Sequence, residues 1–254
     1  MTKINWGIIG LGSTTSRFLK GLSLLNDGNF YAIASRTAEK IEKIKQTFPQ
    51  VIIYTSYDDL LNDENVHAIY ITLRHNDHYV WAKKALEKGK AVLCEKPATL
   101  YLRETEDIIN TAQKNQVMFI EALKTRFMPL NQKLHELLNE EIIGEIKQIE
   151  TAFGYTIPDE HARYLYDTQN GGILNDVGTY TLGAILDFIK SPVQFIEVEC
   201  DKKKDVDAYE KITLHFENGV IGIAQNALDR NLDRNMTIVG TLGSIFVKDY
   251  HRAS

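Results

Sequence analysis

Four short stretches of this 254-residue chain combine residue types and spacings that could do chemistry. In "NGGILNDVGTYTLGAI" (170–185) a carboxylate, Asp176, and a phenol, Tyr180, interrupt an apolar run. Positions i and i+4 share a face of an α-helix, so both polar ends point into one space. A carboxylate there can orient hydroxyl groups, and a phenol can pass a proton. In "CEKPATL" (94–100) Lys96 stands between Glu95 and Pro97. A stiffened turn could aim its ammonium at a reacting oxygen, although a lone loop lysine is ordinarily a solvated surface group. "GLGSTT" (10–15) sets Gly10 and Gly12 ahead of Ser13 and Thr14. Without side chains, such a turn lets backbone amides and a helix N-terminus approach a pyrophosphate. Thr15 stands at the third small position of that fingerprint, a bulkier choice than usual. The fourth stretch is "ASRT" (34–37), where a dinucleotide site for NAD would carry Asp or Glu bonding the ribose 2′-hydroxyl. Ser35 and Arg36 occupy that place, and the first acid is Glu39. A hydroxyl and a guanidinium suit a 2′-phosphate, so NADP is expected over NAD; the plain alternative is a solvated arginine at a helix start.

These residues need a frame. Six apolar or β-branched runs at 4–10, 30–35, 51–55, 67–73, 91–95 and 117–121 read as strands, and helical patterns such as "STTSRFLKGLSLL", "TAEKIEKIKQTF" and "DHYVWAKKALEKG" lie between them. Alternation of this kind implies βαβ units and a doubly wound parallel sheet. After a helix around 127–140 the pattern changes. A strand at 144–155 and one helix around 176–189 precede strands at 195–200, 209–216, 220–227, 235–240 and 244–248, with tight turns at "ENG" and "TLG". An α/β arrangement follows: a dinucleotide-binding Rossmann domain over 1–122, and over 123–254 an α+β domain with an open, mainly antiparallel sheet.

Composition excludes several classes. A net charge of −5 argues against nucleic acid or an anionic membrane as the main partner. The basic run Lys202–Lys204 is flanked by Asp201 and Asp205 and reads as a solvated hairpin turn. Two distant cysteines, Cys94 and Cys200, fit a reduced cytoplasmic setting and not a disulfide framework. No run approaches the roughly 18 apolar residues of a membrane span. His75 and His78 lack a third ligand at suitable spacing, so no metal is expected.

The ordered set "GIIGLG", "ASRTAEK", "ALEKGKAVLCEKP", "EALKTRFMP", "IGEI" and "GGILNDVGTY" resembles the Gfo/Idh/MocA oxidoreductase family, in register from about Ile4 to Val247. The resemblance implies that Lys96, Asp176 and Tyr180 fall on catalytic positions. It also implies that Gly10, Gly12, Ser13, Thr14, Ser35, Arg36, His78 and Glu95 lie at the cofactor. Arg126 and Arg163 match positions near the pocket and could contact substrate or be structural. Many members carry histidine where Tyr180 stands. Tyrosine resembles the dihydrodiol dehydrogenase, xylose dehydrogenase and glucose–fructose oxidoreductase branch, which prefers or holds NADP. The loop "LRHNDH" (73–78) departs from the family's usual Thr-Pro-Asn type turn and keeps His78. Members usually continue well past "SIFVKDY", and the resemblance implies pairing of the open sheets into a dimer or tetramer. The implied function is hydride transfer between nicotinamide and a carbinol or carbonyl carbon of a sugar, polyol or trans-dihydrodiol. Two alternatives stand beside it: a non-sugar carbonyl such as a tetrapyrrole, and a catalytically inactive NADP-binding regulatory protein of the same fold.

Overall fold

The computed structural model describes residues 3–157 and 164–252. The chain divides into two compact units, Met1–Ala122 and Leu123–Ser254. The first contains β1 (Ile4–Ile9), α1 (Thr15–Leu22), β2 (Gly28–Ala34), α2 (Ala38–Thr47), β3 (Ile52–Tyr54), α3 (Tyr57–Asn62), β4 (Ala68–Ile71), α4 (His75–Glu87), β5 (Ala91–Cys94), α5 (Leu102–Asn115) and β6 (Phe119–Glu121). All the strand pairs are parallel, in the order β3-β2-β1-β4-β5-β6. A parallel sheet is covered on both faces, which is why its central strands read as continuous apolar runs. Alternate residues feed two cores. Ile9, Ile69 and Ile71 join Leu60, Leu86 and Val92 on one face, while Ile8 and Tyr70 join Leu19 and Ile33 on the other. The order reverses between β1 and β4, so the turns leaving those two strands face each other, the place where open α/β sheets bind ligands.

The second unit opens with a 3₁₀ turn (Lys124–Phe127) and α6 (Pro129–Asn139), whose first-turn proline is pre-set for helix entry. Then come β7 (Ile146–Gly154), a π-helical turn (Leu174–Gly178), α7 (Thr179–Phe188), β8 (Val193–Lys203), β9 (Val206–Phe216), β10 (Ile221–Ala227), β11 (Met236–Gly240) and β12 (Ser244–Val247). The sheet order is β12-β11-β7-β10-β9-β8. Four pairs are antiparallel, but β7 and β10 run parallel, so the sheet is mixed. The long connection from β7 through α7 and the β8–β9 hairpin supplies the crossover that a parallel pair requires. The hairpin turns on Lys204 and Asp205, with φ of 53° and 64°, the two positive values of a type I′ turn. On β9 every second residue is buried, from Val206 to Phe216. Ile212, Leu214 and Phe216 share one core with Ala184, Ile185 and Phe188 of α7. No described helix is long and apolar enough to cross a membrane.

Candidate active site

In the first unit the glycine turn is pressed against the exit of β4. Gly10 has φ +90°, and a Cβ on it would stand 2.6 Å from the Thr72 carbonyl oxygen. A Cβ on Gly12 would lie 2.2 Å from Thr72 Oγ1. Both positions therefore require glycine, one for its backbone angle and one for the close approach. Below the turn runs a polar network. The Tyr70 hydroxyl donates to Glu95 Oε1 at 2.5 Å and lies 2.9 Å from Thr14 Oγ1, which is 3.1 Å from Thr72 Oγ1. Tyr70 is 2% exposed, and its ring stacks on Phe18 at 4.1 Å. Burial, with the charge of Glu95, pushes the phenol far above its ordinary value, so it stays a donor. Thr14 and Glu95 are thereby tied into the support of the turn, whereas Ser13 is exposed at the start of α1.

The end of β2 presents cations. Ser35 is buried and its Oγ accepts from the Thr37 amide at 3.2 Å, closing the turn. Arg36 is exposed, with its guanidinium 4.7 Å from the centre of the Tyr57 ring. Lys40 reaches back to donate to the Leu11 carbonyl at 2.6 Å, and Glu39 is paired with Lys43 at 3.2 Å. A side-chain-free turn, a helix N-terminus and two cations, with the nearest acid already paired, fit a dinucleotide carrying a 2′-phosphate. On the loop after β5, the Lys96–Pro97 peptide is cis and Ala98 donates to Glu121 Oε1 at 2.8 Å.

His78, expected at the cofactor, lies in the first turn of α4. It is fully buried, with Nδ1 2.8 Å from the Pro97 carbonyl and Nε2 3.3 Å from that of Leu73. Burial holds its pKa below the ordinary value, so the ring is neutral. A neutral ring donates from one nitrogen only, so His78 bonds one of these two carbonyls and lies buried between the loops that carry them.

In the second unit, Asp176 lies within the π-helical turn and Tyr180 is the second residue of α7. The expectation of one continuous α-helix with both residues on a 3.6-residue face is thus corrected. The extra residue of a π turn widens the spiral, a feature frequent at functional sites. The Tyr155 hydroxyl, at the end of β7, donates to Asp176 Oδ2. Burial and the Asp176 charge push the Tyr155 phenol far up, and push Tyr164 up to about 12. The proton therefore stays on Tyr155, which remains the donor to Asp176. The Tyr180 ring packs against Phe153 and His251, each at 5.8 Å between ring centres. His251 is pushed down to about 4, by burial and then by Lys124, against the pull of Asp249 at 3.1 Å. The wall beside Tyr180 is accordingly aromatic, with the Arg234 guanidinium 5.1 Å from the centre of the Phe153 ring.

Arg126 is exposed on the 3₁₀ turn, with Nε 3.8 Å from Asp187 Oδ1. Asp187 also accepts from Asn131 at 2.9 Å and is 3.1 Å from His135, and its carboxyl is held low by these partners against its burial. It lies about two helical turns beyond Tyr180, so Arg126 is engaged away from the Asp176–Tyr180 group. Arg163 lies outside the described residues. Among the described residues no three His, Cys, Asp or Glu side chains gather as a metal would need. Tyr70, Thr72, Lys40, Tyr155 and His251 escaped sequence reading. Only Tyr155, a polar ring at the end of the strand "GEIKQIETAFGY", carried a local signal.

Comparison with known proteins agrees with this geometry. Residues 4–123 match the family described as oxidoreductase, NAD-binding Rossmann fold, and residues 131–246 match the GFO/IDH/MocA C-terminal domain. The chain is 28% identical over 250 residues to the trans-1,2-dihydrobenzene-1,2-diol dehydrogenase of Sus scrofa, covering 97% of this chain and 74% of that one. It is 31% identical to the Xenopus laevis protein of the same name, covering 96% and 75%. Among solved structures, a 3-ketoreductase from Actinomadura kijaniata in complex with NADP and TDP-benzene superposes with a TM-score of 0.90 at 25% identity, over 98% of this chain and 78% of that one.

Proposed function

The chain belongs to the Gfo/Idh/MocA oxidoreductase family, and from that premise we propose that it is an NADP-dependent dehydrogenase acting on the CH–OH group of a diol, polyol or sugar. The observation that carries the cofactor is the glycine turn packed on Thr72 with Arg36 just past β2 and Lys40 on α2, Glu39 between them being paired with Lys43. A relative crystallised with NADP and the dihydrodiol dehydrogenase relatives support the same reading. When bound, NADP supplies a nicotinamide carbon that accepts or returns hydride.

The residues of the chain supply the rest. We assign Tyr180 the proton transfer at the substrate oxygen. Its phenol, with an ordinary pKa near 10, needs a positive charge to act as a base at neutral pH. Lys96 is the residue assigned to provide that charge and to stabilise the oxyanion that forms in the reductive direction. Asp176, held in place by the Tyr155 hydroxyl, orients the substrate hydroxyls and is not assigned the proton transfer. The first unit takes the dinucleotide, and the second takes the substrate.

We also propose a homo-oligomer in a reducing, cytoplasmic setting. The sheet face turned away from α7 supports the pairing: Phe195 stacks on His215 there, and Phe246 is 63% exposed. Cys94 and Cys200 are both free thiols, as a reducing compartment favours. A panel of trans-dihydrodiols, sugars and polyols incubated with NADP tests the activity through NADPH absorbance. Turnover of at least one class is expected. NADPH binding without turnover of any class would instead make the chain a regulatory binding protein.

A further inference from the structure

Beneath the segment bearing Asp176 and Tyr180, β9 and β10 present three polar side chains that the chemistry above leaves unused. Asp207 Oδ2 accepts from the Leu174 amide at 2.8 Å. Gly172 packs so near that a Cβ on it would stand 2.0 Å from Asp207 Oδ1. The start of the π-helical turn is therefore seated on that carboxylate. Asn226 is fully buried; its Oδ1 accepts from Thr181 Oγ1 at 2.8 Å, and Thr181 is the residue after Tyr180. Thr151 of β7 adds a bond from its Oγ1 to the Thr181 carbonyl at 3.3 Å. Glu210 stands opposite Asn226 in the β9–β10 register, is 6% exposed, and has a buried Oε2 without a donor.

An apolar residue would fill the Glu210 position without leaving a polar atom orphaned, so the carboxyl is a cost to folding that calls for a reason. Ionising both carboxylates at this site is unfavourable, because burial and mutual repulsion oppose the second charge. We infer that Asp207 and Glu210 are positioning residues: Glu210 holds a proton, leaving Asp207 as the single charge that grips the Leu174 amide and fixes where Asp176 and Tyr180 point. This rests on the reading of Asp176 and Tyr180 as the reacting pair.

The surroundings agree. Burial, followed by the charge of Asp207, pushes the Glu210 carboxyl up to about 7. Cys200, its register partner on β8, has a thiol raised by burial, Glu210 and Asp207, and is neutral. Lys202 faces Asp207 in register from the exposed hairpin. Gly178 and Thr181 of the helical segment and Asn226 of β10 bring no charge. The native Glu210 value lies above the free carboxyl value of about 4.3, so the stabilisation is complete below that pH and is lost as pH rises through about 7. Above that point both carboxylates are ionised, and the grip on Leu174 loosens.

The test is amide hydrogen exchange of residues 172–178 in the whole chain, with steady-state kinetics, at about pH 6 and about pH 8.5, for the unmodified protein, Glu210→Gln and Asp207→Asn. In the unmodified protein, protection of these amides is expected to fall at the higher pH by more than free amides accelerate, and KM for substrate to rise severalfold with the NADPH dissociation constant unchanged. Glu210→Gln, which copies the protonated form, should abolish both changes. Asp207→Asn should raise exchange at Leu174 about tenfold at either pH, the loss of a charge-assisted bond. Identical protection in all three proteins would overturn the inference. Should no protein turn over any substrate, the reading of Asp176 and Tyr180 falls while the exchange result still decides the positioning role. Should Asp207→Asn not fold, melting temperatures of Glu210→Gln decide: a gain near pH 8.5 that vanishes near pH 4.5 supports the inference, and an equal shift at both refutes it.

Discussion

Replacing Arg36 with alanine removes one cation from the end of β2 and leaves the buried turn beneath it untouched, since Ser35 and Thr37 bond each other. The guanidinium carbon stands over the Tyr57 ring, 4.7 Å from its centre, so part of the side chain's rotamer freedom is lost before a ligand arrives. A hydrogen bond to a charged group contributes about 1.5–3 kcal/mol. Arg36 is exposed, solvent and salt screen it, and the lower half of that range applies. About 1.5–2 kcal/mol corresponds to NADPH binding weakened roughly ten- to thirtyfold. NADH lacks the 2′-phosphate, so its affinity should change by less than about twofold, on the order of a rim contact. Lys40, tethered to the Leu11 carbonyl, keeps some positive charge in place and should preserve a residual preference. Titration calorimetry with both nucleotides, at low and at high salt, measures the ratio directly. High salt should shrink the preference of the unmodified protein toward that of the variant. Equal dissociation constants for NADH and NADPH before mutation, or an unchanged ratio after it, would refute the assignment.

Tyr180→Phe and Lys96→Met are each expected to lower kcat by roughly 10²–10⁴-fold with nucleotide affinity little changed, and the double variant to be scarcely worse than either, as stopped-flow NADPH formation would show. Asp176→Asn should raise KM for a polyhydroxylated substrate and spare NADPH binding. Tyr155→Phe should do the same more weakly, on the order of tenfold, because it strips a donor from a half-buried carboxylate. His251 is held neutral in the folded state by a value near 4, so its contribution is present above the unfolded value of about 6.5 and is lost as pH falls toward 4. His251→Gln should flatten the loss of thermal stability between those limits; His78, depressed in the same direction, should leave part of the slope in place.

Much of this architecture was legible because its signals are local. The apolar runs around Ile8, Ile33, Ile69 and Val92 located the parallel strands to within a residue or two, and Gly10 and Gly12 marked a turn that no other residue could make. The six-residue α3, opened by Ser56 accepting from the Asp59 amide, is too short to show a period. The parallel pairing of β7 with β10 was invisible because its partners are far apart in sequence. At the site, Lys96, Asp176 and Tyr180 stood out as polar residues in patterned surroundings. The network from Tyr70 to Glu95 and Thr14 did not, because it joins the ends of three strands across 25 and 56 positions. A period of 3.6 residues also cannot report a π turn, so the pitch between Asp176 and Tyr180 had to come from coordinates.

The central place of β7 shapes how the second half is made in the cell. Ile149 lies in register with Gly222 on one side and Ile238 on the other. During synthesis at about 5–20 residues per second, a strand whose partners lie some 75 to 90 residues downstream waits roughly 4–18 s with both edges bare. The first half needs no such wait, since each of its strands pairs within a few tens of residues. Ribosome-bound chains halted just before Ile221 should therefore display a protease-resistant amino-terminal half joined to a segment that chaperones capture, and release from chaperone should coincide with emergence of β10 and β11.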